Sequence, residues 1–220
     1  GSGSVAVGGD VERDSAAIMQ LTESADFSEV VRSREIRIGM SPPSTSEDGV
    51  LLDLGSHGID MAYHLFHTEP KIKSAVLTAE QEGRPDYEAI VELGYGRTRS
   101  NIEVRRANIR RRRLELDTDR EYYEVTYTPA ALKIGFSPPR LGKRPQSFED
   151  LEQLSKNVET AFDVPRKEPI SVMFQSFAES VRKGSVAEPL CSAEEALVTA
   201  KAIDDARKVA TRRFVKKAGN

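Results

Sequence analysis

The stretch Gly49-Val-Leu-Leu-Asp53-Leu-Gly-Ser-His57-Gly-Ile-Asp60-Met-Ala-Tyr-His64-Leu-Phe-His67 carries all three histidines of the 220-residue chain. Its periodicity predicts a helix over about Val50 to His67, ended by Pro70. At ~100° per residue, Asp53, His57, Asp60, His64 and His67 share an arc of about 80°, and Ile59, Ala62 and Phe66 take the opposite side. The helix is therefore expected to be amphipathic, with a carboxylate and imidazole stripe pointing away from its apolar side.

Three readings of that stripe stay open. A solvated face would carry ordinary i, i+4 pairs of Asp and His, each worth about 0.2–0.5 kcal/mol. A metal site would use His64-x-x-His67 and Asp53-x-x-x-His57, spacings that let two ligands converge. The rest of the sequence shows no cysteine cluster or second helix to complete such a site, so no metal is expected. Acid–base chemistry would use a histidine with a carboxylate one turn earlier, which fixes its tautomer and keeps its charged form within reach near neutrality.

Outward from this segment, Val11, Ala17, Ile18 and Leu21 predict a helix from Asp10 to Ser24, and Glu29 to Gly39 turns strand-like. Pro42 and Pro43 open a loop. Beyond Pro70 the chain reads as consecutive strands: Ile72 to Leu77, Tyr87 to Leu93, Ser100 to Arg106, Ile109 to Leu116, Tyr122 to Tyr127 and Leu132 to Phe136. Short turns at Gly94-Tyr-Gly96 and Asp117-Thr-Asp-Arg120 suit antiparallel hairpins. Pro138 to Gln146, basic and proline-rich, is expected to be a mobile flap or a partner-binding arm. Two helices follow, Pro169 to Lys183 and Ser192 to Phe214, and Ser192 with Glu195 forms a capping box. The expected fold class is α+β: an open, mainly antiparallel sheet of about six strands with helices on one face, and no Rossmann domain.

With 38% hydrophobic and 30% charged residues, 15 glycines and 11 prolines, the chain is neither collagen-like nor wholly disordered. Val50-Leu51-Leu52 is its longest aliphatic run and no signal segment opens it, so a soluble protein is expected. A lone cysteine, Cys191, fits a reducing compartment, and cytoplasm is the expected location. A net charge of −3 gives no global field for nucleic acid or an acidic membrane, and neither is an expected partner. The run Arg105, Arg106 and Arg110 to Arg113 falls on expected strands, where alternation would send Arg110 and Arg112 to one face and Arg111 and Arg113 to the other. That face would either meet a diphosphate or serve as a solvated sheet edge. Gly1-x-Gly3-x-x-Ala6 satisfies a dinucleotide fingerprint in letters alone; nothing precedes it as a strand, and Gly1 to Ser4 reads as a cloning linker.

Arg37-Ile-Gly39-Met-Ser-Pro-Pro43, the polar loop after it, and Gly49 to Asp60 resemble the Gfo/Idh/MocA oxidoreductase family, and most of all its UDP-N-acetylglucosamine 3-dehydrogenase-like branch. Asp53, His57 and Asp60 match the family pattern D-x-x-x-H-x-x-D, and Glu188-Pro-Leu-Cys-Ser192-Ala-Glu-Glu-Ala196 is similar to its C-terminal signature. The resemblance implies a two-domain enzyme: a Rossmann domain holding NAD or NADP, then a domain whose open sheet forms dimers and whose helix faces the nicotinamide. The first domain is expected to be missing here. Residues 1–9 read as a linker or tag plus the remnant of a nucleotide-domain strand, and residues 10–220 as the substrate-binding and oligomerisation domain. Asp14-Ser-Ala16 stands where relatives have F-N-P, and Lys167-Glu168-Pro169 opens a helix instead of forming the family's Glu-Lys-Pro motif.

By that resemblance His57 would be the acid–base group and Asp53 would orient it or bind a sugar hydroxyl. Asp60, Arg110 and Arg112 are candidate substrate contacts, with capping or an ion pair the competing role for Asp60. His64 and His67 match nothing in the motif and are expected to be partly exposed. The chain alone is expected to bind no cofactor and to be inactive. Its expected partners are a second copy, as dimer or tetramer through the sheet, a nucleotide-binding domain in cis or trans, and a sugar or nucleotide sugar. The rival reading is a non-catalytic module of the same descent, kept for self-association or binding.

Overall fold

Thr98, Ser100, Ile102 and Val104 are buried, and alternate with Arg99, Asn101, Glu103 and Arg105, which are not, the period of two that marks a strand with one covered face. In the computed structural model, which describes residues 6–7, 12–40, 49–118, 121–127, 130–136, 160–162, 169–187 and 189–215, this strand lies inside a nine-stranded mixed sheet.

The elements are β1 (Ala6–Val7), α1 (Ala16–Ser24), β2 (Arg32–Met40), a π-helical turn (Leu51–Gly55) running into α2 (Ser56–Phe66), β3 (Lys71–Ala79), β4 (Glu88–Tyr95), β5 (Thr98–Ala107), β6 (Arg111–Asp117), β7 (Glu121–Tyr127), β8 (Ala130–Phe136), β9 (Thr160–Phe162), α3 (Pro169–Lys183), β10 (Cys191–Ser192), α4 (Ala193–Val209) and β11 (Thr211–Phe214). The sheet order is β11-β3-β4-β5-β2-β6-β7-β8-β9, and β1 pairs with β10 in a separate two-stranded ribbon.

The six strands expected after Pro70 are present, but the sheet is larger and mixed. β2 inserts between β5 and β6, parallel to the first and antiparallel to the second. Asn108 to Arg110 therefore carry the chain across β2, and β5 and β6 do not form a hairpin. β11 adds a parallel strand beside β3. The sequence places Thr211 to Phe214 in the final helix; the structure ends α4 at Val209, where Ala210 turns extended and the chain takes up the open edge of β3, with the Val215 N–H on the carbonyl of Ala79. Likewise the N-terminal helix starts at Ala16, because residues 12–14 form a turn.

α1, α2 and α4 cover one face. Ile59 and Ala62 of α2, with Ala202, Ile203 and Ala206 of α4, close over β3, β4 and β5 at Leu77, Val91, Leu93, Ile102 and Val104. Met61 and Leu65 of α2, with Ala17, Ile18 and Leu21 of α1, close over β6, β7 and β8 at Leu114, Leu116, Val125 and Leu132. At about 1.5–3 kcal/mol for each large aliphatic side chain buried, these two clusters dominate the favourable side of folding. α2 belongs to both, and sits so low on the sheet that a Cβ at Gly58 would lie 2.8 Å from Ile102 Cγ2.

The uncovered face is ionic. Arg34 bridges Glu103 at 2.9 Å and Glu115 at 3.9 Å, and Arg113 bridges Glu115 at 2.5 Å and Glu124 at 3.2 Å, a ladder across β5, β2, β6 and β7. No described helix is long and apolar enough to cross a membrane. The Pro138 to Gln146 arm lies outside the described residues.

Candidate functional site

The start of the His57 helix is pinned from a distance. Asp86, in the β3–β4 connection, accepts the Val50 N–H on its carbonyl and the Leu51 N–H on its carboxylate, each at 2.9 Å. These are donors that a helix start leaves without intrahelical partners. Gly49 makes room for the cap, since a Cβ there would sit 1.9 Å from Asp86 Oδ1. Asp86 escaped the sequence reading because it is 35 residues from Leu51.

The first turn is then π-helical, Leu51–Gly55, a wider turn found often at functional sites. It turns less per residue than an α-helix, so the common arc drawn from an even 100° does not hold at Asp53. That carboxylate is exposed and takes a 2.6 Å ion pair from Arg106 of β5. His57 follows on α2, half-buried.

Further along α2 the stripe is covered, contrary to the expected outward-facing one. Asp60 is 6% exposed and His64 is 7% exposed, because the turn at residues 12–14 and α1 pack over this side of the helix. Arg13 donates to both Asp60 oxygens, at 2.8 and 2.6 Å, and reaches Glu195 at 3.4 Å. Glu195 in turn closes the capping box of α4, accepting the Ser192 N–H at 2.8 Å while Ser192 Oγ accepts the Glu195 N–H at 3.2 Å. Burial opposes the charge on Arg13, and the Asp60 hydrogen bond and charge outweigh it, so the guanidinium is held more firmly protonated than usual. Cys191 Sγ lies 3.6 Å from Asp60 Oδ1. Burial, then the Asp60 charge, push its thiol up to about 12. Asp60 is thus in an ion pair, the competing role that the sequence allowed it.

A second buried network surrounds Glu12, which accepts from both Arg37 and Arg112. Arg37, fully buried, also donates to Glu35 at 2.6 Å and lies over the Tyr127 ring. Arg112 therefore faces the helices. Arg110 is exposed in the coil before β6, so the expected strand alternation of the arginine run begins only at Arg111.

His64 and His67 stand 6.2 Å apart, edge to face, with His67 beyond the helix end at a left-handed φ of 46°. His64 is buried instead of partly exposed. Both line a cleft of about 760 Å³ with Arg13, Phe27, Tyr95 and Arg97. This cleft sits at the C-terminal end of α2, roughly 10 Å along the axis from His57. Among the described residues no three His, Cys, Asp or Glu side chains converge as a metal site.

No protein-family model matches the sequence, and no curated protein does. Solved structures do. UDP-N-acetylglucosamine 3-dehydrogenase GnnA from Acidithiobacillus ferrooxidans superposes with a TM-score of 0.74 at 18% identity, over 91% of this chain and 60% of that one. KijD10, a 3-ketoreductase from Actinomadura kijaniata, in an open conformation in complex with TDP-benzene and NADP, superposes with a TM-score of 0.73 at 14% identity, over 93% and 61%. The chain spans about three fifths of the length of these proteins, and at such identities the likeness establishes the fold: a mixed-sheet α+β unit shared with part of a nucleotide-sugar dehydrogenase and a ketoreductase.

Proposed function

We propose that residues 10–220 are the substrate-binding and oligomerisation domain of an NAD- or NADP-dependent sugar or nucleotide-sugar dehydrogenase of the Gfo/Idh/MocA type, with residues 1–9 a linker and the remnant of a nucleotide-domain strand. One observation carries this reading. The Asp86-capped π turn carries Asp53 and leads into α2 just before His57, on a fold shared with a UDP-N-acetylglucosamine 3-dehydrogenase and a 3-ketoreductase in complex with NADP.

In this reading His57 takes the proton of the substrate hydroxyl during oxidation and returns it during reduction. Asp53, steadied by Arg106, orients the imidazole or binds a neighbouring hydroxyl. Asp60, held by Arg13, fixes how α2 sits and borders the substrate. Arg110, exposed, and Arg112, reached through the Glu12 network, are the groups that would meet a diphosphate. The cofactor belongs to a nucleotide-binding domain in cis or trans, and without one the chain is inactive, since the reacting carbon and the nicotinamide must be held in near-attack geometry. The ionic sheet face is the surface for self-association, where a two-fold partner can match Arg34 and Arg113 against Glu103, Glu115 and Glu124.

The test is to supply a nucleotide-binding domain, joined or separate, and assay a panel of nucleotide sugars with His57→Ala as control. Activity should appear and fall about 10²–10⁴-fold in that variant. Activity that survives the substitution removes His57 from its role. Inactivity with every substrate favours the non-catalytic module.

A further inference from the structure

The cleft at the C-terminal end of α2 has both signs of charge on its rim and rings in its wall. Its volume of about 760 Å³ falls in the range of small-molecule sites, and it lies between α1, the turn Phe27–Glu29, the end of α2 and the β4–β5 turn. The wall is aromatic: Phe27 meets Phe66 edge to face at 6.3 Å, and Phe66 lies 5.2 Å from Tyr95. Tyr95 is 3% exposed, and its hydroxyl has no hydrogen-bond partner among the described residues, a buried polar group that an occupant can satisfy.

On the rim an acid and a base stand near each other without closing into a pair. Arg97 comes from the β4–β5 turn, Glu23 from the last turn of α1 and Asp26 from just beyond it, and all three are exposed. Two hydrogen bonds from Ser28, its hydroxyl at 2.6 Å and its N–H at 2.9 Å, hold the Asp26 carboxyl below the usual carboxylate range, and the Arg97 charge adds to that effect. Yet neither Asp26 nor Glu23 forms an ion pair with Arg97 among the described residues. A plain anion in the cleft would meet Glu23 and Asp26, and a plain cation would meet Arg97. A molecule carrying both charges meets neither penalty, and its ring can lie against the aromatic wall. We propose that this cleft binds an aromatic α-amino acid, with Arg97 taking its carboxylate, Asp26 and Glu23 its ammonium group, and Phe27, Phe66 and Tyr95 its side chain. The site is at the other end of α2 from His57 and does not depend on the enzymatic reading.

Amide-shift NMR titration of the isotope-labelled chain with L-phenylalanine, L-tyrosine and L-tryptophan tests this. The best of the three should bind with a Kd of roughly 10 µM to 1 mM and move the amides of Phe27, Phe66 and Arg97. Its methyl ester, its N-acetyl derivative and glycine, which lack the carboxylate, the ammonium group and the ring in turn, should each bind at least about 10-fold more weakly. Arg97→Gln should weaken the amino acid and its N-acetyl derivative but not the ester. Asp26→Asn combined with Glu23→Gln should weaken the amino acid and the ester but not the N-acetyl derivative. Circular dichroism should stay unchanged, because all three side chains are exposed. No shift with any of the three up to about 10 mM, an ester or N-acetyl derivative that binds as well as the parent, or shifts confined to Asp53 to His57 would each overturn the proposal. So would binding that vanishes once a nucleotide-binding domain is joined to the chain, which would give the cleft to that domain.

Discussion

Arg13 and Asp60 show what the sequence could and could not reveal at the level of single residues. Asp53 and His57, the proposed pair, can be singled out in the sequence because they lie four positions apart in one segment. The partners that fix the surroundings are remote: Arg13 is 47 residues from Asp60, Arg106 is 53 from Asp53 and Arg112 is 100 from Glu12. No local pattern encodes such pairings. Arg13→Met should cost about 3–5 kcal/mol in urea unfolding, because Asp60 would remain buried without its guanidinium partner. Replacing both partners by apolar residues should cost less. A loss under about 1 kcal/mol for the single change would mean that Asp60 reaches water. Cys191 offers a second check. Its folded pKa is raised from 9.0 to about 12, so the folded state keeps a proton that the unfolded chain has released. That contribution to stability is complete below pH 9 and fades as pH rises toward 12. Iodoacetamide at pH 8.5 should accordingly label native protein far more slowly than urea-unfolded protein. Equal rates would place the thiol in solvent.

At the level of elements, capping was the most legible feature. Ser192 and Glu195 form the box that their spacing announces, and Ser192→Ala should lower stability by about 1 kcal/mol, read as an earlier urea midpoint. The helix over Val50 to His67 was legible in extent but not in pitch. Its π turn depends on Asp86, which arrives from another loop, and a periodicity count assumes even spacing. Gly58 is where helix and sheet meet most closely. Gly58→Ala should cost about 1–3 kcal/mol by pushing Ile102 and α2 apart. A fully stable variant would show that α2 can lift off β5 freely. The end of α4 is not legible in the sequence, since no glycine or proline stops the helix between Val209 and Phe214; the open edge of β3 outweighs helix propensity there.

For the whole molecule, the sequence carries the α+β class, the six strands after Pro70 and the helices on one face. It does not carry β2 between β5 and β6, since Arg32–Met40 precedes β5 by a helix and two strands and its strand pattern names no neighbour. Nor does it show that α2 serves two apolar clusters at once, the fact that buries Asp60 and His64. Of the carboxylate and imidazole stripe, Asp53 and His67 remain exposed and His57 half-buried, and the functional reading rests on Asp53 and His57. The most direct measurement is reduction of NADP in the presence of a nucleotide sugar, by the chain alone and then with a nucleotide-binding domain supplied. The expected result is no turnover alone, turnover once the domain is present, and loss of that turnover in His57→Ala. Saturable NADP binding with sugar oxidation by the unaided chain, or full activity without the imidazole, would contradict it.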